Sequence, residues 1–168
     1  TNAGTQYLTE PGVVLIAATQ THLDGVQGFL DGFERDLGFD KYLDDEEIDS
    51  GAQLVKFAGQ LCYLSLGENR TKNADVKKYL DNIKQSGHGS VLEHVNLTFL
   101  FYGITRSQTH EIVRHRAGFA FSQVSQRYVD GSVLRFVERP EYVGDPQLHK
   151  MFVDRIDYAR SAYDSIAE

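Results

Sequence analysis

Between residues 95 and 102, apolar Val95, Leu97, Phe99 and Phe101 alternate with Asn96, Thr98, Leu100 and Tyr102. A period of two puts one set on each side of an extended chain, so this run is expected to be a strand with at least one buried face. A second apolar run, Val13, Val14, Leu15, Ile16, Ala17 and Ala18, follows Pro11-Gly12. It is too short for an independent helix and is expected to be a buried strand that begins a sheet.

Helical periodicity fills the space between these runs. Leu23, Val26, Phe29, Leu30 and Phe33 are helically spaced but interrupted by Gly25, Gly28 and Gly32, which lowers the helix's intrinsic stability. The acids Asp44, Asp45, Glu46 and Glu47 precede a stripe of Ile48, Ala52, Val55, Ala58, Leu61 and Cys62, and acids in a first turn complement the helix dipole. Asn73 is expected to cap a helix carrying Val76, Tyr79, Leu80 and Ile83, with Gly87 ending it. A helix over 105–116 follows the alternating strand, and Gly118 permits an exit. Residues 124–129 and 133–137 are expected to form a hairpin around Asp130-Gly131, and Asp145-Pro146 to open a last helix bearing Leu148, Phe152, Ile156, Ala159, Tyr163 and Ile166. The expectation is an α+β fold: a single domain over 1–168, with one mixed sheet packed by several helices. No Gly-x-Gly-x-x-Gly turn supports a Rossmann domain.

At 168 residues and 41% hydrophobic content the chain can bury one core. A formal charge of -7 argues against a general binder of nucleic acid or of membrane surfaces. No apolar run suits a spanning helix and no signal-peptide pattern is present. The lone Cys62 rules out an internal disulfide framework and fits a reducing, cytoplasmic setting; on its apolar stripe it is expected to be a small core residue.

Against that acidic background, residues 106–127 carry Arg106, Arg114, Arg116 and Arg127 with Glu111 as the one acid, about +3 locally. Such a reversal of sign points to an anion site. Guanidinium forks match phosphate oxygens bidentately, and the Ser125 hydroxyl and nearby backbone N–H groups can add neutral donors, so phosphate esters fit better than simple carboxylates. On a helix over 107–116, Arg114 and Arg116 would lie about 200° apart and serve two ligands, or one ligand and a neighbouring subunit.

Arg114-His115-Arg116, eight residues and then Ser125-Gln126-Arg127-Tyr128 resembles the signature of the flavin-dependent thymidylate synthases, also called the thymidylate synthase complementing family. Upstream, Gly87-His88-Gly89-Ser90-Val91-Leu92-Glu93-His94 resembles the family's Gly-His-x-Ser/Thr-x-x-Glu-His segment. The resemblance implies reductive methylation of dUMP to dTMP, with methylenetetrahydrofolate as carbon donor and NADPH-reduced FAD as hydride source, in a homotetramer whose sites draw on several subunits. It implies FAD contacts from His88, Ser90, Glu93, Arg114, His115, Arg116 and Gln123. It places dUMP on Glu111, Arg114, Gln123, Val124, Ser125, Gln126 and Arg127, with the phosphate on Ser125 and Arg127. Where the family commonly has Gln, this chain has Glu111. A later family segment, with a further dUMP-binding arginine and more flavin contacts, is not among these residues.

Other chemistry fits less well. His88 also suits a loop hydrogen bond, and Glu93 with His94 suits a buried pair that orients the loop. The zinc arrangement His-x-x-Glu-His would need His where Ser90 stands, so no metal is expected and a metal hydrolase ranks last. Ser125 lacks the Gly-x-Ser-x-Gly elbow of a nucleophile. A non-catalytic nucleotide-binding module is the alternative to the enzyme.

Overall fold

Helices and short strands are mixed along the chain in a computed structural model that describes residues 1–33, 48–66 and 75–167. Two compact units share it, Thr1–Val14 with Leu100–Glu168, and Leu15–Phe99. Strands β2 (Gly12–Ala18) and β3 (Leu97–Tyr102) pair in a two-stranded sheet.

The unit Leu15–Phe99 is built on helices α1 (Val26–Leu30), α2 (Ser50–Cys62) and α3 (Val76–Gln85), followed by a 3₁₀ helix, Gly89–His94. Asp49 starts α2 by accepting the Ala52 N–H at 2.9 Å, and Asp75 starts α3 by accepting that of Lys78 at 3.2 Å. The Lys78 N–H, joined by that of Lys77 and the Lys78 charge, holds the Asp75 carboxyl below its usual range. Leu30, Phe57 and Leu66 form the buried cluster, and Leu23, Val26, Leu61 and Leu64 pack against it. Beyond α3, Gly87 turns left-handed at φ +69 and the His88 N–H returns to the Ile83 carbonyl at 3.1 Å, which closes the helix. The expected stop at Gly87 is therefore present.

In the other unit, β1 (Tyr7–Leu8) pairs in parallel with β4 (Phe136–Val137), Tyr7 opposite Phe136 and Leu8 opposite Val137. Helix α4 (Arg106–Ile112) is capped by Thr105, whose hydroxyl accepts the Gln108 N–H at 3.2 Å. A short α5 (Pro140–Val143) leads to α6 (Pro146–Ala167), which Asp145 opens by accepting the N–H groups of Gln147 and Leu148. Glu138, just after β4, is buried and meets the His149 ring nitrogen of α6 at 2.8 Å, tying the β1–β4 sheet to the helix. Tyr7 adds an edge-on contact with Phe152.

The mixture of helices with small sheets agrees with the α+β class, but several details differ from expectation. Among the described residues there are two two-stranded sheets rather than one mixed sheet. The hairpin around Asp130-Gly131 is absent: the Asp130 carboxylate accepts the Ser132 N–H at 2.8 Å, folding Gly131–Val133 into a 3₁₀ turn, and β4 joins β1 instead. Both apolar strands were expected to bury a face, yet every residue of β3 and all of β2 after Gly12 are exposed. Two strands make a single layer, and exposure on alternate residues leaves both sides uncovered. Cys62 is exposed rather than in the core, because it is the last residue of α2. The acidic run 44–47 and Asn73 lie outside the described residues; Asp49 and Asp75 are the caps observed.

Gly59 is where α2 meets Tyr79 of α3. A Cβ there would lie 2.1 Å from the Tyr79 hydroxyl oxygen, on a ring that is itself buried, and burial raises the phenol's pKa. Glycine to alanine inside a helix ordinarily stabilises by about 1 kcal/mol. Here overpacking reverses the sign: Gly59→Ala should destabilise by about 1–3 kcal/mol in urea unfolding, and adding Tyr79→Phe should recover most of the loss. A stabilised single variant would show that the contact does not constrain the helices.

Candidate functional site

The Arg114-His115-Arg116 motif begins where α4 ends. The Val113 N–H still bonds to the Thr109 carbonyl at 2.9 Å, but the chain leaves the helix after Ile112, so Arg114, His115 and Arg116 lie beyond it. The expected helix to residue 116 is thus one turn too long, and a helical angle no longer separates Arg114 from Arg116. Arg114 pairs with Glu111, both side chains well exposed, a contact that contributes little to stability. Among the described residues neither Arg116 nor Arg127 pairs with a carboxylate; the Arg127 guanidinium lies 5.7 Å from the centre of the Tyr128 ring.

From Arg116 the chain turns at Gly118, left-handed at φ +76, and runs without regular structure to Ser125. The exposed rings of Phe119 and Phe121 stack at 5.9 Å. Gln123 donates its amide to the Thr109 hydroxyl, and Arg106 donates to the Val124 carbonyl at 2.7 Å. Ser125 is half-buried; its hydroxyl accepts the Arg127 N–H at 3.2 Å and its carbonyl accepts that of Val129 at 3.2 Å. Residues 123–127 are thereby gathered beside the first turn of α4, with Gln126 and Arg127 exposed.

Gln126 and Arg127 also line a cavity of about 750 Å³, open to solvent, that reaches Asp130, Arg160, Tyr163 and Asp164. Arg160 donates to both Asp164 oxygens at 2.9 Å and to the Ser132 carbonyl at 2.9 Å. Tyr163 accepts the Gly131 N–H at 3.1 Å and donates to Asp130 at 3.3 Å. Sequence reasoning missed Arg160 and Asp164, although their four-residue spacing signals a helical ion pair; Tyr163 was assigned only to an apolar stripe.

His88, Ser90 and Glu93 belong to the unit Leu15–Phe99 and the arginine set to the other. His88, Ser90, Glu93 and His94 are all exposed, so the expected burial of Glu93 with His94 is not found; neighbours on a 3₁₀ helix point about 120° apart. Among the described residues no group of three or more His, Cys, Asp or Glu is placed to hold a metal ion, and no helix is long and apolar enough to cross a membrane.

Comparison with known proteins gives this arrangement its family. The family model described as "Thymidylate synthase complementing protein" matches residues 46–168. Flavin-dependent thymidylate synthases from Mycobacterium sp. (strain JLS) and Mycolicibacterium vanbaalenii are each 42% identical, over 119 and 120 residues. Those alignments cover 71% of this chain and 46% and 48% of the relatives. The relative from Mycobacterium bovis (strain BCG / Pasteur 1173P2) is likewise 42% identical over 120 residues, 71% of this chain and 48% of its own. The chain belongs to the thymidylate synthase complementing protein family. It spans about half the length of the curated relatives it matches.

The Ser132 backbone N–H and then its side chain hold the Asp130 carboxyl below its usual range, with smaller help from Tyr163 and the Arg160 charge and with desolvation opposing. A lowered folded-state pKa means that ionised Asp130 contributes stability above its unfolded value, and that this is lost as pH falls through the folded value. The stability gap between the parent and Asp130→Ala should therefore narrow on acidification below the usual carboxylate range, measured by urea unfolding at several pH values. A gap independent of pH would contradict this account of Asp130.

Proposed function

We propose that the protein is a flavin-dependent thymidylate synthase, converting dUMP to dTMP with methylenetetrahydrofolate as one-carbon donor. The observation that carries this reading is the cationic segment 106–127, inside the family-matched residues, in which Arg116 and Arg127 have no carboxylate partner among the described residues. Exposed guanidinium groups on a segment that also carries the Ser125 hydroxyl suit phosphate esters rather than metals. Bound FAD, reduced by NADPH, would supply the hydride.

On this reading Ser125 and Arg127 hold the dUMP phosphate, while Gln123, Val124 and Gln126 line the nucleotide. Glu111 and Arg114, already paired with each other, present one carboxylate and one guanidinium toward its uracil or ribose. His115, Arg116, Arg114 and Gln123, together with His88, Ser90 and Glu93, hold FAD. The family match runs through both compact units, which supports one domain over 1–168. Exposed Val13, Leu15, Leu97, Phe99 and Phe101 give the chain apolar surface that a homotetramer would cover. The lone cysteine supports a cytoplasmic setting.

The decisive experiment supplies the whole protein with FAD, NADPH, methylenetetrahydrofolate and dUMP and measures dTMP. Binding of dUMP without flavin-coupled NADPH oxidation would leave a nucleotide-binding module in place of the enzyme. Arg127→Ala should weaken dUMP binding by about tenfold or more, since hydrogen bonds to charged groups contribute about 1.5–3 kcal/mol, and should spare flavin retention. Arg116→Ala should release flavin first. Equal loss of both ligands in either variant would overturn the division of roles.

A further inference from the structure

We infer that the first turn of α4 is a positioning device for the anion-binding segment, with Arg106 and Thr109 holding residues 123–125 in place. This deepens the proposed function, because it rests on Ser125 and Arg127 holding the phosphate of dUMP.

Between Arg116 and Val129 the chain has no strand or helix to fix it. Two side-chain bonds reach it from one helical turn: Arg106 to the Val124 carbonyl at 2.7 Å, and the Gln123 amide to the Thr109 hydroxyl. Residues three apart on a helix share a face, so the two anchors act on adjacent residues of the loop. The Thr109 hydroxyl gives its own proton to the Arg106 carbonyl at 2.9 Å, which leaves its oxygen as an acceptor aimed at Gln123. Arg106 uses a charged donor on a neutral carbonyl and pairs with no carboxylate among the described residues.

Holding the Val124 carbonyl fixes the plane of the peptide that leads into Ser125. From there the Ser125 hydroxyl and carbonyl accept the N–H groups of Arg127 and Val129, so one tie sets where the 125–129 turn begins. A loop already ordered loses less conformational freedom when its ligand arrives. Arg106 and Thr109 are therefore positioning residues, acting through the segment and not on the phosphate.

The test uses Arg106→Ala and Thr109→Val in the whole protein, with dUMP as the probe and amide hydrogen exchange in its absence. Exchange at the Arg127 and Val129 amides should rise about tenfold in Arg106→Ala and less in Thr109→Val, with the Val113 amide, bonded to the residue 109 carbonyl at the end of α4, unchanged. The dUMP dissociation constant should rise by about tenfold in Arg106→Ala, with the salt dependence of dUMP binding as in the parent. Unchanged exchange at 127 and 129 would overturn the inference, as would a dUMP affinity loss accompanied by weaker salt dependence, which marks a direct phosphate contact. A parent that fails to bind dUMP would remove the proposed function, whereas the exchange data would still decide whether α4 holds the loop.

Discussion

Crowded positive charge without matching negative charge is the constraint on which the arginine segment depends. Residues 106–127 hold four guanidinium groups and one carboxylate, and Arg114 takes that carboxylate. Arg106 spends its charge on a backbone carbonyl, and Arg127 lies against an aromatic ring. A chain that is acidic elsewhere tolerates this cluster at the surface, where water screens the repulsion, and the cluster becomes a place where anions are favoured.

The fold beneath this cluster is economical in regular structure. Helix α4 has seven residues, starts at Arg106 and ends before Arg114, so Arg114, Arg116 and Arg127 sit on irregular backbone that side-chain ties from the helix help to restrain. The same device recurs after Ser125, where serine and aspartate side chains bond to N–H groups two residues on and shape the chain at 125–133. Short polar side chains here take over the ordering that a longer strand or helix would supply. On the opposite wall of the cavity Arg160 and Tyr163 project from the 22-residue α6 into neighbouring hydrogen bonds.

Much of this was legible in the sequence because the signals were local. Gly87 as a helix stop, Asp145-Pro146 as a helix start and the alternation over 97–102 each follow from the backbone preferences of a few residues. The two motif blocks identified the family for the same reason. Burial was not legible in this way: β2 and β3 have the composition of covered strands, but cover depends on what packs against them, which a local pattern does not encode. Asp130-Gly131 misled because aspartate before glycine suits a hairpin turn and a 3₁₀ turn equally, and the pairing of β4 with β1, more than 120 residues away, settled the outcome. The end of α4 was overestimated because no glycine or proline marks Val113 as a boundary.

The central claim is that cationic groups between 114 and 127 hold two phosphorylated planar molecules close enough for their rings to meet. It is tested most directly by titrating the FAD-loaded whole protein with dUMP and recording the flavin's visible absorption. The account predicts a saturable change in the flavin band that inorganic phosphate at the same concentration does not reproduce. Saturable dUMP binding that leaves the flavin spectrum untouched would contradict it.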